Sequence, residues 1–100
     1  MSRACAAVRQ QVAELTSLDV EWLGVVHGLW TSAEGVVEYQ KETGTKLRLA
    51  LDKDGAIFRA FDVHQLPTVV LIDRNGRVAR VVGPKDHDLA DAVHALVAAR

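Results

Sequence analysis

The segment from Phe61 to Gly83, FDVHQLPTVVLIDRNGRVARVVG, constrains this chain more than any other. Leu66-Pro67 opens it with an X-Pro bond. Proline lacks a ladder donor, so the start of a strand is one of the places a sheet permits it. Thr68 to Ile72 is β-branched and almost wholly apolar, the pattern of a central strand. Asp73-Arg-Asn-Gly76 follows. Asn-Gly tolerates the positive φ angles of a tight turn, which makes this the strongest hairpin signal present. Arg77 to Val82 is the returning strand, and Gly83-Pro84 breaks it.

The rest of the chain supplies helices and two further strands. Cys5, Val8, Val12 and Leu15 fall at spacings of three, four and three, one face of a helix over about residues 3 to 17. Val20 to His27 reads as a strand that ends at Gly28. Thr31-Ser-Ala-Glu34 has capping-box spacing, with the Thr31 hydroxyl at the N-cap, and predicts a helix over about 32–42 ending near Gly44. Lys46 to Leu51 alternates like a short strand with one wet face. Asp52-Lys-Asp-Gly55 is a turn, and Ala56 to Phe61 forms one or two helical turns packing Ile57, Phe58 and Phe61. A last helix carries Leu89, Val93, Leu96 and Val97 on one face, with Asp86 or a neighbour as its cap. Asp86 and Asp88 stand at its positive end and Arg100 at its negative end. The order α-β-α-β-α-β-β-α indicates an α/β fold with a mixed sheet.

Bulk properties exclude several function classes. One hundred residues make one domain, spanning 1–100. The 12 basic and 13 acidic residues are well mixed and leave a net charge of −1, which gives no basic footprint for nucleic acid. Trp22 to Val26 and Val69 to Ile72 are strand-length runs, far below the roughly 18 residues a membrane helix needs. No membrane partner is expected. The first residues lack the long apolar centre of a signal peptide, so the chain carries no export signal of that kind and its localisation stays open. No P-loop, dinucleotide fingerprint or G-x-S-x-G is present, and no cofactor is expected. His64, His87 and His94 have no paired spacing with Cys, Asp or Glu that would mark a metal site. Asp52-Lys-Asp-Gly55 lacks the later ligands and the bidentate Glu of a calcium loop.

From about Val20 onward, the order of elements resembles the thioredoxin-like thiol–disulfide oxidoreductases, redoxins of the TlpA/ResA type. The residues that carry the resemblance are Glu21-Trp-Leu-Gly-Val-Val26, Leu51-Asp-Lys-Asp-Gly55, Phe61-Asp-Val-His-Gln-Leu-Pro-Thr68 and Leu71-Ile-Asp-Arg-Asn-Gly76. The resemblance implies a thioredoxin-like mixed sheet flanked by helices. It also implies disulfide exchange with a protein or peptide substrate. Pro67 is expected to be cis and to lie near the start of the first helix. Leu66 is expected to offer its backbone to an extended substrate, as in strand addition.

The other half of that site has no counterpart here. The family opens with a central strand ending in W-C-x-x-C-R, and this chain has one cysteine. Two registers are open. In one, the second family cysteine falls near Ser2 and Arg3 matches the following Arg. In the other, Cys5 is the second cysteine and Ser2 holds the first position. The attacking cysteine is absent in both. The resemblance thus implies an N-terminally truncated domain lacking its central first strand, with weak or no exchange activity. Three explanations stay open: Met1 is an internal residue of a longer chain, a second chain supplies a strand, or the sheet has rearranged. The second would make the chain a homo-oligomer through an open sheet edge.

Two readings of Cys5 also stay open. It is a monothiol near a helix N-terminus, with Arg3 and Arg9 nearby in sequence, or a small core residue on the Val8/Val12 stripe. His27, with Trp30 nearby, either borders a site at a strand end or is a loop histidine. A redox-inactive module that binds extended peptides beside Leu66-Pro67 is the alternative to the enzyme.

Overall fold

Helix α1 spans Arg3–Glu14 and presents Val12 to the interior, with Leu15 buried in the turn beyond it. The computed structural model describes residues 3–15, 18–29, 31–44 and 47–99. The expected roles of Ser2, Trp30, Lys46 and Arg100 lie outside the described residues. By packing, the chain falls into two compact units. One comprises Met1–Glu21 with His64–Arg100, and the other Trp22–Val63.

The second unit is a β-α-β element followed by a short helix. Strand β1 (Leu23–His27) and strand β2 (Arg48–Asp52) pair in parallel, with Leu23 opposite Arg48 and His27 opposite Asp52. Helix α2 (Ala33–Thr43) connects them, and α3 (Ala56–Ala60) follows β2. The cap of α2 is Ser32, not Thr31. The Ser32 Oγ accepts the Gly35 N–H at 3.3 Å, so the third helical residue is Gly35, and Glu34 falls one position short of the reciprocal bond. At the other end Gly44 takes φ 63° and donates its N–H to the Gln40 carbonyl, as glycine does where a helix turns left-handed. Strand β2 lacks the alternation its sequence suggests: Leu49, Ala50 and Leu51 are all half-buried. Both α2 and α3 pack against it. In α3 only Phe58 is half-buried, while Ile57 and Phe61 remain exposed, so the expected three-residue packing face reduces to one ring.

The first unit holds α1, an antiparallel hairpin and the last helix. Strand β3 (Val69–Ile72) pairs with β4 (Val78–Val82), with Val69 opposite Val82 and Leu71 opposite Arg80. The register slips after Leu71, so Ile72 faces Val78 and Ala79 is the extra, bulged residue. The turn lies where Asp73-Arg-Asn-Gly76 places it, but only Gly76 (φ 77°) takes a positive φ. The Asp73 side chain supplies the rest, with its Oδ1 accepting the Asn75 and Arg77 N–H groups at 2.9 and 3.0 Å.

Helix α4 (Leu89–Ala98) packs on β4 and buries Leu89, Ala92 and Val93. Its N-cap is Asp88, which makes no side-chain cap bond. Both Asp88 carboxylate oxygens instead accept from the Arg80 guanidinium, at 2.6 and 2.8 Å. Leu96 and Val97 are half-buried, and His94 is exposed.

The architecture is α/β, with four helices and four strands among the described residues. It differs from the single mixed sheet expected. There are two two-stranded sheets, one parallel and one antiparallel. Strand β3, expected to be central, accordingly has β4 as its one ladder partner among the described residues.

Candidate functional site

The first unit contains a cleft of about 200 Å³ at the start of β3. Its lining comes from α1 (Ala7, Val8, Gln11), Pro67 and Val69, Val82 at the end of β4, and the segment that leads into α4. Two local structures shape it. On one side, the Leu66–Pro67 bond is cis, and the Thr68 hydroxyl donates to the Gln65 carbonyl at 2.6 Å, folding the chain tightly before β3. On the other, the Gly83 N–H donates to Asp86 Oδ2 at 2.8 Å and the Asp86 N–H to the Gly83 carbonyl at 3.2 Å. This closed loop turns the chain out of β4 and sets Pro84, Asp86 and His87 on the cleft rim.

The residues singled out by sequence distribute as follows. Pro67 lines the cleft and faces α1, and the exposed Leu66 adjoins it. Cys5 is the third residue of α1, in its first turn and half-buried. The part of α1 that lines the cleft with Pro67 is Ala7, Val8 and Gln11, and Cys5, about one turn before Val8, is not part of that lining. A single thiol there can form a mixed disulfide but has no intramolecular thiol to resolve it. Among the described residues, no group of three or more His, Cys, Asp or Glu is placed to hold a metal ion. No described helix is long and apolar enough to cross a membrane.

No protein-family model matches this chain, and no curated protein is similar to it.

Sequence reasoning missed the polar centre of the second unit. Asp52, the last residue of β2, is only 4% exposed. Its carboxylate accepts the N–H groups of Ile57 (3.2 Å) and Phe58 (3.0 Å), the first turn of α3. The residue at the N-cap of α3 is Gly55, which has no side chain to offer and sits at φ 72°. Asp52 does the capping from three residues upstream. The signal was readable as an Asp just ahead of a glycine-led helix. Burial works to raise the Asp52 pKa. The Phe58 and Ile57 N–H bonds outweigh it, with Coulombic help from His27 and Arg59, and hold it below the usual aspartate value.

A carboxylate depressed in the folded state stabilises the protein above its unfolded pKa of roughly 3.9, and that stability is lost as pH falls through the folded value. The Asp52 contribution to the melting temperature should therefore change little from about pH 7 to 5 and fall below about pH 4. Asp52→Asn, which cannot ionise, should melt lower at pH 7, and the gap to the parent should close on acidification. Melting curves for the two proteins that run parallel down to pH 3 would remove Asp52 from the acid response.

Proposed function

We propose that this chain is a thioredoxin-like module of the thiol–disulfide oxidoreductase type, which holds extended protein segments beside Leu66-Pro67 and does not itself run the two-cysteine reaction. The observation that carries the reading is the cleft shared by Pro67, the Ala7–Gln11 stretch of α1 and the Val82–Pro84 end of the hairpin. An extended peptide laid along Leu66 meets a recess of side-chain size, whose lining mixes apolar Val8, Val69, Val82 and Leu89 with polar Gln11, Asp86 and His87. Backbone pairing supplies affinity and the recess supplies selectivity. Cys5 is the chain's one candidate to attack a substrate disulfide, forming a mixed disulfide and releasing the other substrate sulfur as a thiolate. Strands β1 and β3 each have one ladder partner among the described residues, and their other edges are where a second copy of the chain would add a strand.

The test uses oxidised insulin B chain as an unfolded probe, followed by amide NMR on the whole chain. Binding should shift Val8, Thr68, Val69, Val82 and Gly83 together. Gly83→Leu should weaken it by more than about tenfold, or 1.4 kcal/mol. A Cβ at Gly83 meets nothing closer than Asp86 Oδ2 at 3.6 Å, so a side chain can begin there, on the wall of the cleft. Shifts confined to other residues, or equal binding by Gly83→Leu, would overturn this reading.

A further inference from the structure

We propose that His27 is a pH-sensitive latch on the turn that follows β1. Leu29 donates its N–H to His27 Nδ1 at 3.0 Å, while Gly28 donates to the Asp52 carbonyl at 2.9 Å. The imidazole meets the Phe58 ring edge-on, with centroids 4.9 Å apart and planes at 82°. Its Nε2 faces residue 55, where a Cβ would come within 2.7 Å, so the ring is seated in space that glycine leaves.

A ring nitrogen that accepts a hydrogen bond carries no proton. The latch is therefore closed in the neutral ring, with its proton on Nε2. Protonation puts an N–H on Nδ1, directly opposite the Leu29 N–H, and the bond becomes a repulsion. Histidine is the side chain that makes this change between about pH 5 and 8.

The charged neighbours decide where the ring goes. On β2, Asp52 stands opposite His27 in the ladder and attracts an imidazolium. On α3, Arg59 Nη1 lies 3.3 Å from the same notional Cβ at residue 55 and opposes it. The Arg59 guanidinium is itself tied to the Asp54 carbonyl at 2.8 Å. Lys53 and Asp54 are exposed, as are Glu34, Glu38, Lys41 and Glu42 on α2. Buried Asp52 therefore retains the imidazolium beside it, and protonation opens the turn without expelling the ring. The part released is the turn at Gly28–Leu29. Leu29 is 82% exposed, so its side chain adds little packing to keep the turn shut. The latch sets how the Gly28–Leu29 turn presents this apolar side chain.

Amide and imidazole NMR on the whole chain from pH 8 to 5 tests the proposal. The Leu29 amide should shift with the midpoint of the His27 ring. Its exchange protection factor should fall about tenfold per pH unit below that midpoint, as linkage to one proton requires. His27→Asn keeps a side-chain acceptor two residues back but cannot titrate, so its Leu29 signal should stay flat. Should that variant fail to fold, coincidence of the two midpoints in the parent still decides. The proposal is overturned if His27 does not titrate in this range, or titrates without moving Leu29. It is equally overturned if the Leu29 change survives in His27→Asn or follows His64, His87 or His94 instead.

Discussion

With insulin as substrate and a dithiol as reductant, the purified chain will give the same precipitation trace as the reductant alone. Disulfide exchange of the thioredoxin type needs one thiolate to attack and a second thiol to release the mixed disulfide. Cys5 is the chain's one cysteine, half-buried in the first turn of α1. Whatever mixed disulfide forms there must be released by an external thiol, so the fast intramolecular second step of a two-cysteine enzyme is missing. Cys5→Ser should leave this background rate unchanged. Turnover comparable to that of a two-cysteine thioredoxin, lost in Cys5→Ser, would sink the idea and make Cys5 a working monothiol. Peptide binding at the cleft is measured separately, so a silent insulin assay and a failed binding assay have different meanings.

The largest stability effect expected from a single truncation in the hairpin is at Leu71. This side chain is 4% exposed, whereas its neighbour Ile72 is 47% exposed. Successive strand residues point to opposite faces, and here one face is covered while the other is open. Leu71→Ala should cost about 2–4 kcal/mol, the lost transfer energy plus an unfilled cavity. Ile72→Ala should stay within about 1 kcal/mol. For a 100-residue chain with a total stability of about 5–10 kcal/mol, the first change removes a large share of the whole. Denaturant midpoints with unchanged slopes would measure both. Near-equal costs would mean that the Ile72 face is covered in solution.

The candidate site was partly legible. Leu66-Pro67 ahead of an apolar strand was enough to place a proline at the mouth of β3, and the cleft forms there. What could not be read was the far wall. Ala7, Val8 and Gln11 approach Val82 and Pro84 only because α1 and the hairpin fold into one unit, across about 70 residues of chain. The cap of α2 was misplaced by one residue, since Thr31 and Ser32 both carry a hydroxyl and only backbone geometry picks Ser32. The Asp52 cap of α3 was missed because Asp52-Lys-Asp-Gly55 reads as a turn. The carboxylate finds its partners, Ile57 and Phe58, only once that turn has folded back.

Local rules in the sequence decided the elements themselves. The three-and-four spacing of Cys5, Val8, Val12 and Leu15 makes α1, Gly44 ends α2, and Asp73 with Gly76 closes the hairpin. Each depends on residues within a turn or two of one another, where propensity and hydrogen bonding act without help. Tertiary structure decided which strands pair and which faces are wet. The sequence pattern of Thr68 to Ile72 suits a strand covered on both sides, yet Ile72 is open and β3 has one ladder partner among the described residues. An apolar run records what a strand could bury. Whether it does so depends on a partner strand or helix arriving from elsewhere, and strand periodicity carries no information about that partner.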